Sequence, residues 1–309
     1  MQWWDRCRWA LPLIIVTPML VLASLLGTHA IIFPEGAALA MGIWVLGQQG
    51  WTASRWRVVA LPPLFAAAGV LLVEAQLPRA VAEIGSLTIG LLVLAAFDSR
   101  LAPALSAAVL PIVFSIDEWS YPVAVLVICL VLAALWRLVR HPATRRPDDA
   151  LPRRYPSGVA AVTWVVVVGW ILIGGQLLAL PAAVLAPPLF VSVLEWLGRG
   201  QLSVGDGMRR WGLLVGAAVF GSVAARSIPI GPVAGVVAVC ATLALMRLLA
   251  MPHPPALAIA LIPLILDAAD SGAYVAAIAT GAAALYAGAF AVALATPGTL
   301  RSSLVGSGP

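Results

Sequence analysis

Twelve apolar stretches follow one another along this chain, separated by short polar breaks. No water-soluble core can bury that many. In the first half they run near 10–28, 30–47, 58–76, 80–97, 101–116 and 120–138. In the second half they run near 158–176, 178–197, 211–226, 230–248, 253–268 and 273–295. A membrane-crossing helix needs about 20 apolar residues, within a range of about 17 to 25. Charged residues make up only 10% of the 309 positions, against about a quarter in soluble domains. Mean hydropathy is +1.03. Period-two alternation is absent, which argues against a transmembrane β-barrel. The expectation is an all-α polytopic bundle of about 12 hydrophobic segments, 10 to 12 of them spanning. The fifth and eleventh, 101–116 and 253–268, are short. They read as spanning, broken or re-entrant, the last two tolerated only inside protein or along a cavity.

All 18 basic residues are arginine. They fall in short loops between apolar runs, which speaks against nucleic acid as a partner. Positive loops stay in the cytoplasm. With the N-terminus inside and every segment crossing, 16 arginines lie on the inner side and only Arg79 and Arg226 on the outer. The expected setting is therefore the plasma membrane (the inner membrane of a bacterial cell), multi-pass, with both termini cytoplasmic. Arg6 and Arg8 ahead of Leu11–Leu26 resemble a signal peptide, but the apolar run is long for one. It reads as the first membrane helix.

The chain divides into a first membrane repeat (1–140), a basic cytoplasmic linker (141–157), a second membrane repeat (158–295) and a polar tail (296–309). The repeat rests on one match. Pro103–Phe114 and Pro255–Leu266 both read Pro-Ala-Leu-x-x-Ala-x-aliphatic-Pro-aliphatic-x-apolar, 152 residues apart. Trp44 and Trp196 share that separation, as do Arg57 and Arg209. An even number of segments sets both halves the same way up, as a parallel repeat. Cys7, Cys129 and Cys240 fit neither a zinc site nor a disulfide framework and read as small buried residues.

Ionisable groups within lipid are costly and usually face a cavity or a partner. Glu35, near the outer start of the second segment, is the acid most suited to line a pathway. Glu195 reads as interfacial or buried near the inner end of the eighth segment. Asp117, Glu118, Asp267 and Asp270 read as outer loop acids, where they would repel an entering anion. Pro252-His253-Pro254-Pro255 restarts a helix near the inner face, because proline suits a first helical turn but not a helix interior. A helix start carries free N–H groups and partial positive charge, and His253 adds a donor or a charge. Arg100 lies one residue out of register with His253 in the other half, just ahead of Pro103. Pro62-Pro63 and Pro187-Pro188 imply kinked or broken helices, the usual surroundings of a transporter site.

His253-Pro254-Pro255-Ala256, followed by an apolar helix, resembles the signature of the HPP family of integral membrane proteins. The order of spans around the motif in the second half resembles that family too. The first half has Leu101-Ala102-Pro103 in place of His-Pro-Pro, so the chain resembles a tandem-duplicated form. Where the family follows its motif with glycine and threonine, this sequence has Leu257 and Ile259. Family members are linked to nitrite transport. The resemblance implies a transporter or channel for a small solute, an inorganic anion such as nitrite. Its site would lie between the halves, with substrate-binding residues His253, Pro254, Pro255, Arg100, Pro103 and Glu35.

No cofactor or metal is expected. An enzyme is not expected either: His29, His141 and His253 are scattered, and no HExxH or GxSxG occurs. Two alternatives stay open, an exporter of larger organic molecules and a non-transporting scaffold or assembly subunit. The expected partners are the lipid bilayer and a small-molecule or inorganic-ion substrate, with a homo-oligomer compatible with the sequence.

Overall fold

A computed structural model describes residues 7–52, 54–139, 155–177, 187–199, 202–266 and 271–295. His141, Asp267, Asp270, the tail and most of the linker lie outside the described residues. Among the described residues the chain is all-helical, without strands. Helix α1 is Leu13–Leu26, entered through a 3-10 turn at Arg8–Ala10. Helix α2 is Glu35–Ala40 and runs into a π-helical turn at Met41–Val45. There follow α3 (Gln49–Thr52), α4 (Arg55–Glu74), α5 (Arg79–Ala96), α6 (Pro103–Phe114) and α7 (Ser120–Val139). The second half holds α8 (Ser157–Leu177), α9 (Pro187–Gly198), α10 (Val204–Ser227) and α11 (Gly231–Leu248). It ends with α12 (Pro255–Leu261, extended by a 3-10 turn at Ile262–Leu264) and α13 (Ser271–Ala295).

Among the described residues, five helices are long and apolar enough to cross a membrane: Arg8–Leu26, Arg55–Glu74, Arg79–Ala96, Gly231–Leu248 and Ala273–Ala295. Their outward faces carry exposed large apolar residues such as Leu25, Leu92, Val237 and Leu294. That is the pattern of helices whose second face meets hydrocarbon instead of water. Helices α2, α6, α9 and α12 differ. They are short and buried along essentially their whole length. At 1.5 Å per residue, a ten- to twelve-residue helix covers about 15–18 Å, well short of a hydrocarbon core of about 30 Å. These four form the centre: α2 packs on α12, and α9 packs on α6. Around them α4 covers α6, α10 covers α12, α11 lies against α1, and α5 against α8.

The short helices share a local device. In an α-helix the carbonyl of residue i accepts from the N–H of residue i+4, and proline has none. Pro111 therefore leaves the Ala107 carbonyl open, and Pro263 leaves that of Ile259 open. A tyrosine hydroxyl fills each gap: Tyr121 donates to Ala107 at 3.3 Å and Tyr274 to Ile259 at 2.8 Å. The next carbonyl along is met by a glycine of the covering helix. A Cβ on Gly69 would sit 2.3 Å from the Ala108 oxygen, and one on Gly221 would sit 2.3 Å from the Ala260 oxygen. Both pairs of carbonyls are 152 residues apart.

Polar contacts sort the helix ends. The Arg8 guanidinium donates to the Trp44 and Val45 carbonyls at 3.2 and 2.8 Å, so the end of α2 is level with the start of α1. Arg247 stacks on Trp9 and Arg55 on Trp136, while Arg57 donates to the Asp98 carbonyl at 2.6 Å. The opposite end gathers Thr28, Glu118, Glu74 and Trp119. The Phe33 N–H points at the Met19 sulfur, 3.2 Å away. The chain after α1 thus turns back along it, and α2 begins near mid-length of α1. Glu35 is therefore deep in the protein, not at the outer edge where its place in the apolar run suggested. Pro62-Pro63 lie within the continuous helix α4, and Pro187-Pro188 form the first turn of α9. One other expectation changes: Cys7 and Cys240 are exposed, and only Cys129 is buried.

Candidate functional site

His253 has no solvent exposure. It sits one residue before the N-cap Pro254 of α12, and Pro255 opens the helix. The prolines fix the backbone there but bring no N–H. The next two N–H groups are used within the turn, Ala256 to the His253 carbonyl at 3.1 Å and Leu257 to the Pro254 carbonyl at 3.0 Å. At Pro103 the arrangement is alike, with Ala104 and Leu105 donating to Leu101 and Ala102. Neither helix start holds out free N–H groups to an anion, contrary to what the proline pattern suggested.

What the structure gathers instead is a relay through the histidine ring. Arg210, on the first turns of α10, reaches Nδ1 of His253 at 3.0 Å. Nε2 of the ring lies 2.5 Å from the Ser192 hydroxyl on α9, which in turn meets the Tyr286 hydroxyl on α13. The proton positions follow from the donor inventory. A guanidinium can only donate, so Nδ1 is the acceptor and the proton of the neutral ring sits on Nε2, donated to Ser192. Arg210 also places its Nε 2.7 Å from Asp206, one helical turn earlier. One guanidinium thus bridges a partly exposed carboxylate and a buried imidazole. The ring is engaged at both nitrogens, so His253 supports the site and does not project a charge into it.

A polar cavity of about 370 Å³ opens on the other side of Arg210, lined by Arg199, Leu202, Ser203, Asp206 and Arg210. An apolar cavity of about 440 Å³ lies against the far end of the relay. Trp196, Met208, Trp211, Tyr286 and Phe290 line it. Glu195, on α9 next to Trp196, is buried, 6% exposed, with neither carboxylate oxygen hydrogen-bonded. Its charged neighbours are Arg199, Arg210 and Arg100, so it does not reach out to water at the interface.

Arg100 is also buried and joins the same end. It donates to the Gly198 carbonyl at the C-terminus of α9, at 2.8 Å, and lies over the Tyr155 ring. Tyr155 in turn donates to the Arg100 carbonyl at 3.2 Å. A cation at a helix C-terminus opposes the partial negative charge there. His253 and Arg100 are therefore brought together through one helix, α9, by way of Ser192 and Gly198. Glu35 has other neighbours, Ser106, Tyr121 and Tyr274. Asp117, Glu118 and His29 are exposed at loop positions.

Sequence reading missed Ser192, Arg210, Asp206 and Tyr286. In the sequence Arg210 stands one residue ahead of the apolar run 211–226 and reads as a loop charge, whereas the helix begins at Val204 and carries it inward. The fold and site define an all-helical protein with several helices able to cross a membrane and a buried polar relay beside an arginine-lined cavity. No family model, no curated protein and no solved structure matches the chain.

Proposed function

We propose that this protein is a multi-pass membrane transporter or channel for a small solute, an inorganic anion such as nitrite. The observation that carries the reading is Arg210. Its buried guanidinium, 3% exposed, is pinned by His253 and Asp206 and faces a cavity that Arg199 also lines. Two guanidinium groups against one carboxylate suit a small anion, and forked donors suit a planar one. His253, Pro254 and Pro255 act one step back, holding Arg210 and the start of α12. Arg100 and Pro103 fix the facing end of α9 and the start of α6. The His-Pro-Pro resemblance to the HPP family points the same way.

The chain is built, on this reading, as two parallel six-segment repeats with broken fifth segments. The matching tyrosine–carbonyl and glycine–carbonyl contacts at a 152-residue spacing support it. Both termini are cytoplasmic, supported by the gathering of Arg8, Arg55, Arg57 and Arg247 at one end. Anion binding is tested on the purified protein in detergent. Nitrite should raise its melting temperature in a saturable way, and Arg210→Gln should abolish the rise; an equal rise in the variant rejects the site. A larger amphipathic anion is the second reading, favoured by the aromatic cavity beside Tyr286. Stabilisation by an aromatic carboxylate at lower concentration than nitrite would select it.

A further inference from the structure

Glu35 is the most isolated ionisable group among the described residues. It is 2% exposed, and neither carboxyl oxygen has a hydrogen-bond partner. The Ser106 hydroxyl on α6 lies beside it, is equally buried, and also has no partner. Among the described residues, the elements packed on α2 set no countercharge beside it. Helices α1, α6 and α12 bring no ionisable side chain. Helix α7 brings Tyr121 and Cys129, with Arg137 at its far end, and the start of α13 brings Tyr274. Both phenol protons are already given to the Ala107 and Ile259 carbonyls. Their oxygens can still accept, but they have nothing left to donate to a carboxylate.

A carboxylate here would have lost water and gained no countercharge, with only the Ser106 hydroxyl and its own backbone N–H beside it as neutral donors, too little to replace water around a full charge. A protonated carboxyl meets the opposite situation. It needs one acceptor, and the Ser106 hydroxyl beside it offers one. A metal cation is poorly served, because hard cations take six or more oxygens and few are present. We infer that Glu35, with Ser106, forms a proton-binding site in the central layer, between the halves. The position suits coupling. Glu35 starts α2, whose other end is held by Arg8, and α2 packs directly on α12, the helix that His253 precedes. One proton carried with one monovalent anion moves no net charge. On the transport reading above, uptake is therefore proton-coupled and electroneutral.

Infrared spectroscopy of the protein in lipid tests the site without reference to transport. Wild type should show a protonated-carboxyl stretch that shifts on transfer to deuterated water and bleaches reversibly as the pH is raised. Glu35→Gln should lack that component. Ser106→Ala, a small change in a buried position, should retain the band and move its frequency, which keeps the test open if the glutamine variant folds poorly. A band unchanged in both variants, or one that neither exchanges nor responds to pH, overturns the inference. Liposome flux then separates the two claims. If wild type moves nitrite and an inward acid gradient speeds uptake severalfold at clamped potential, the coupling holds; nitrite flux indifferent to the gradient rejects coupling. No flux at all rejects the transport reading, and the infrared result alone decides the proton site.

Discussion

The Tyr274 hydroxyl donates to the Ile259 carbonyl at 2.8 Å, filling the bond that Pro263 cannot make. A proline four residues on removes the natural donor, and a tyrosine from the neighbouring helix replaces it. The same exchange joins Tyr121, Ala107 and Pro111. The prolines of the Pro-Ala-Leu-x-x-Ala motif are thus tied to tyrosines lying outside it.

This arrangement predicts a rescue. Tyr274→Phe leaves a buried acceptor without a donor, which costs about 1–3 kcal/mol and lowers the melting temperature in detergent. Pro263→Ala restores an N–H at the missing position. The double variant should therefore lose less than the two single losses added together. Strict additivity would show that the hydroxyl is not serving that carbonyl.

Close helix contact at Gly221 is the next prediction. A methyl group there would sit 2.3 Å from the Ala260 oxygen, a backbone atom that cannot swing aside. Gly221→Ala should destabilise by about 1–3 kcal/mol, the usual range for overpacking. Gly212, on the same helix, has nothing within 4 Å of an added Cβ. Gly212→Ala should be neutral or slightly stabilising, since alanine favours helix. Equal effects at the two positions would contradict the packing of α10 on α12.

Arg210 holds two partners with different nitrogens, Nε for Asp206 and an Nη for His253. A lysine has one ammonium and cannot make both bonds from that position. Arg210→Lys should therefore behave like a loss of function, with anion binding weakened about tenfold or more, as expected for a charge-assisted bond. Binding by the lysine variant at wild-type strength would mean that charge alone is required.

Arginine distribution predicts the orientation. A cysteine placed at the exposed Asp117 should react with a membrane-impermeant maleimide in intact cells. One placed at Ser54, before the arginine-rich start of α4, should react only after permeabilisation. Native Cys7 and Cys240 would be replaced first, because both are exposed. The reverse pattern would invert the topology.

Much of the architecture was legible in the sequence. Hydropathy marks where helices form because that signal is local, and each apolar stretch contains one. It did not give depth: Glu35 opens an apolar run, but the chain first turns back to Met19 before α2 begins. Nor did it give side-chain direction. Ser192 on α9, His253 just ahead of α12 and Tyr286 on α13 are spread over 94 residues, and no local pattern encodes their meeting. The proline pattern showed where helices restart, yet not that Ala256 and Leu257 spend their N–H groups inside the turn.

The most direct test of the central claim is nitrite flux into liposomes carrying the purified protein. The account predicts uptake well above protein-free liposomes. It also predicts that flux falls tenfold or more in both His253→Ala and Arg210→Gln, while Gly212→Ala matches wild type. Uptake no faster than in empty liposomes, or unchanged in both site variants, would contradict it.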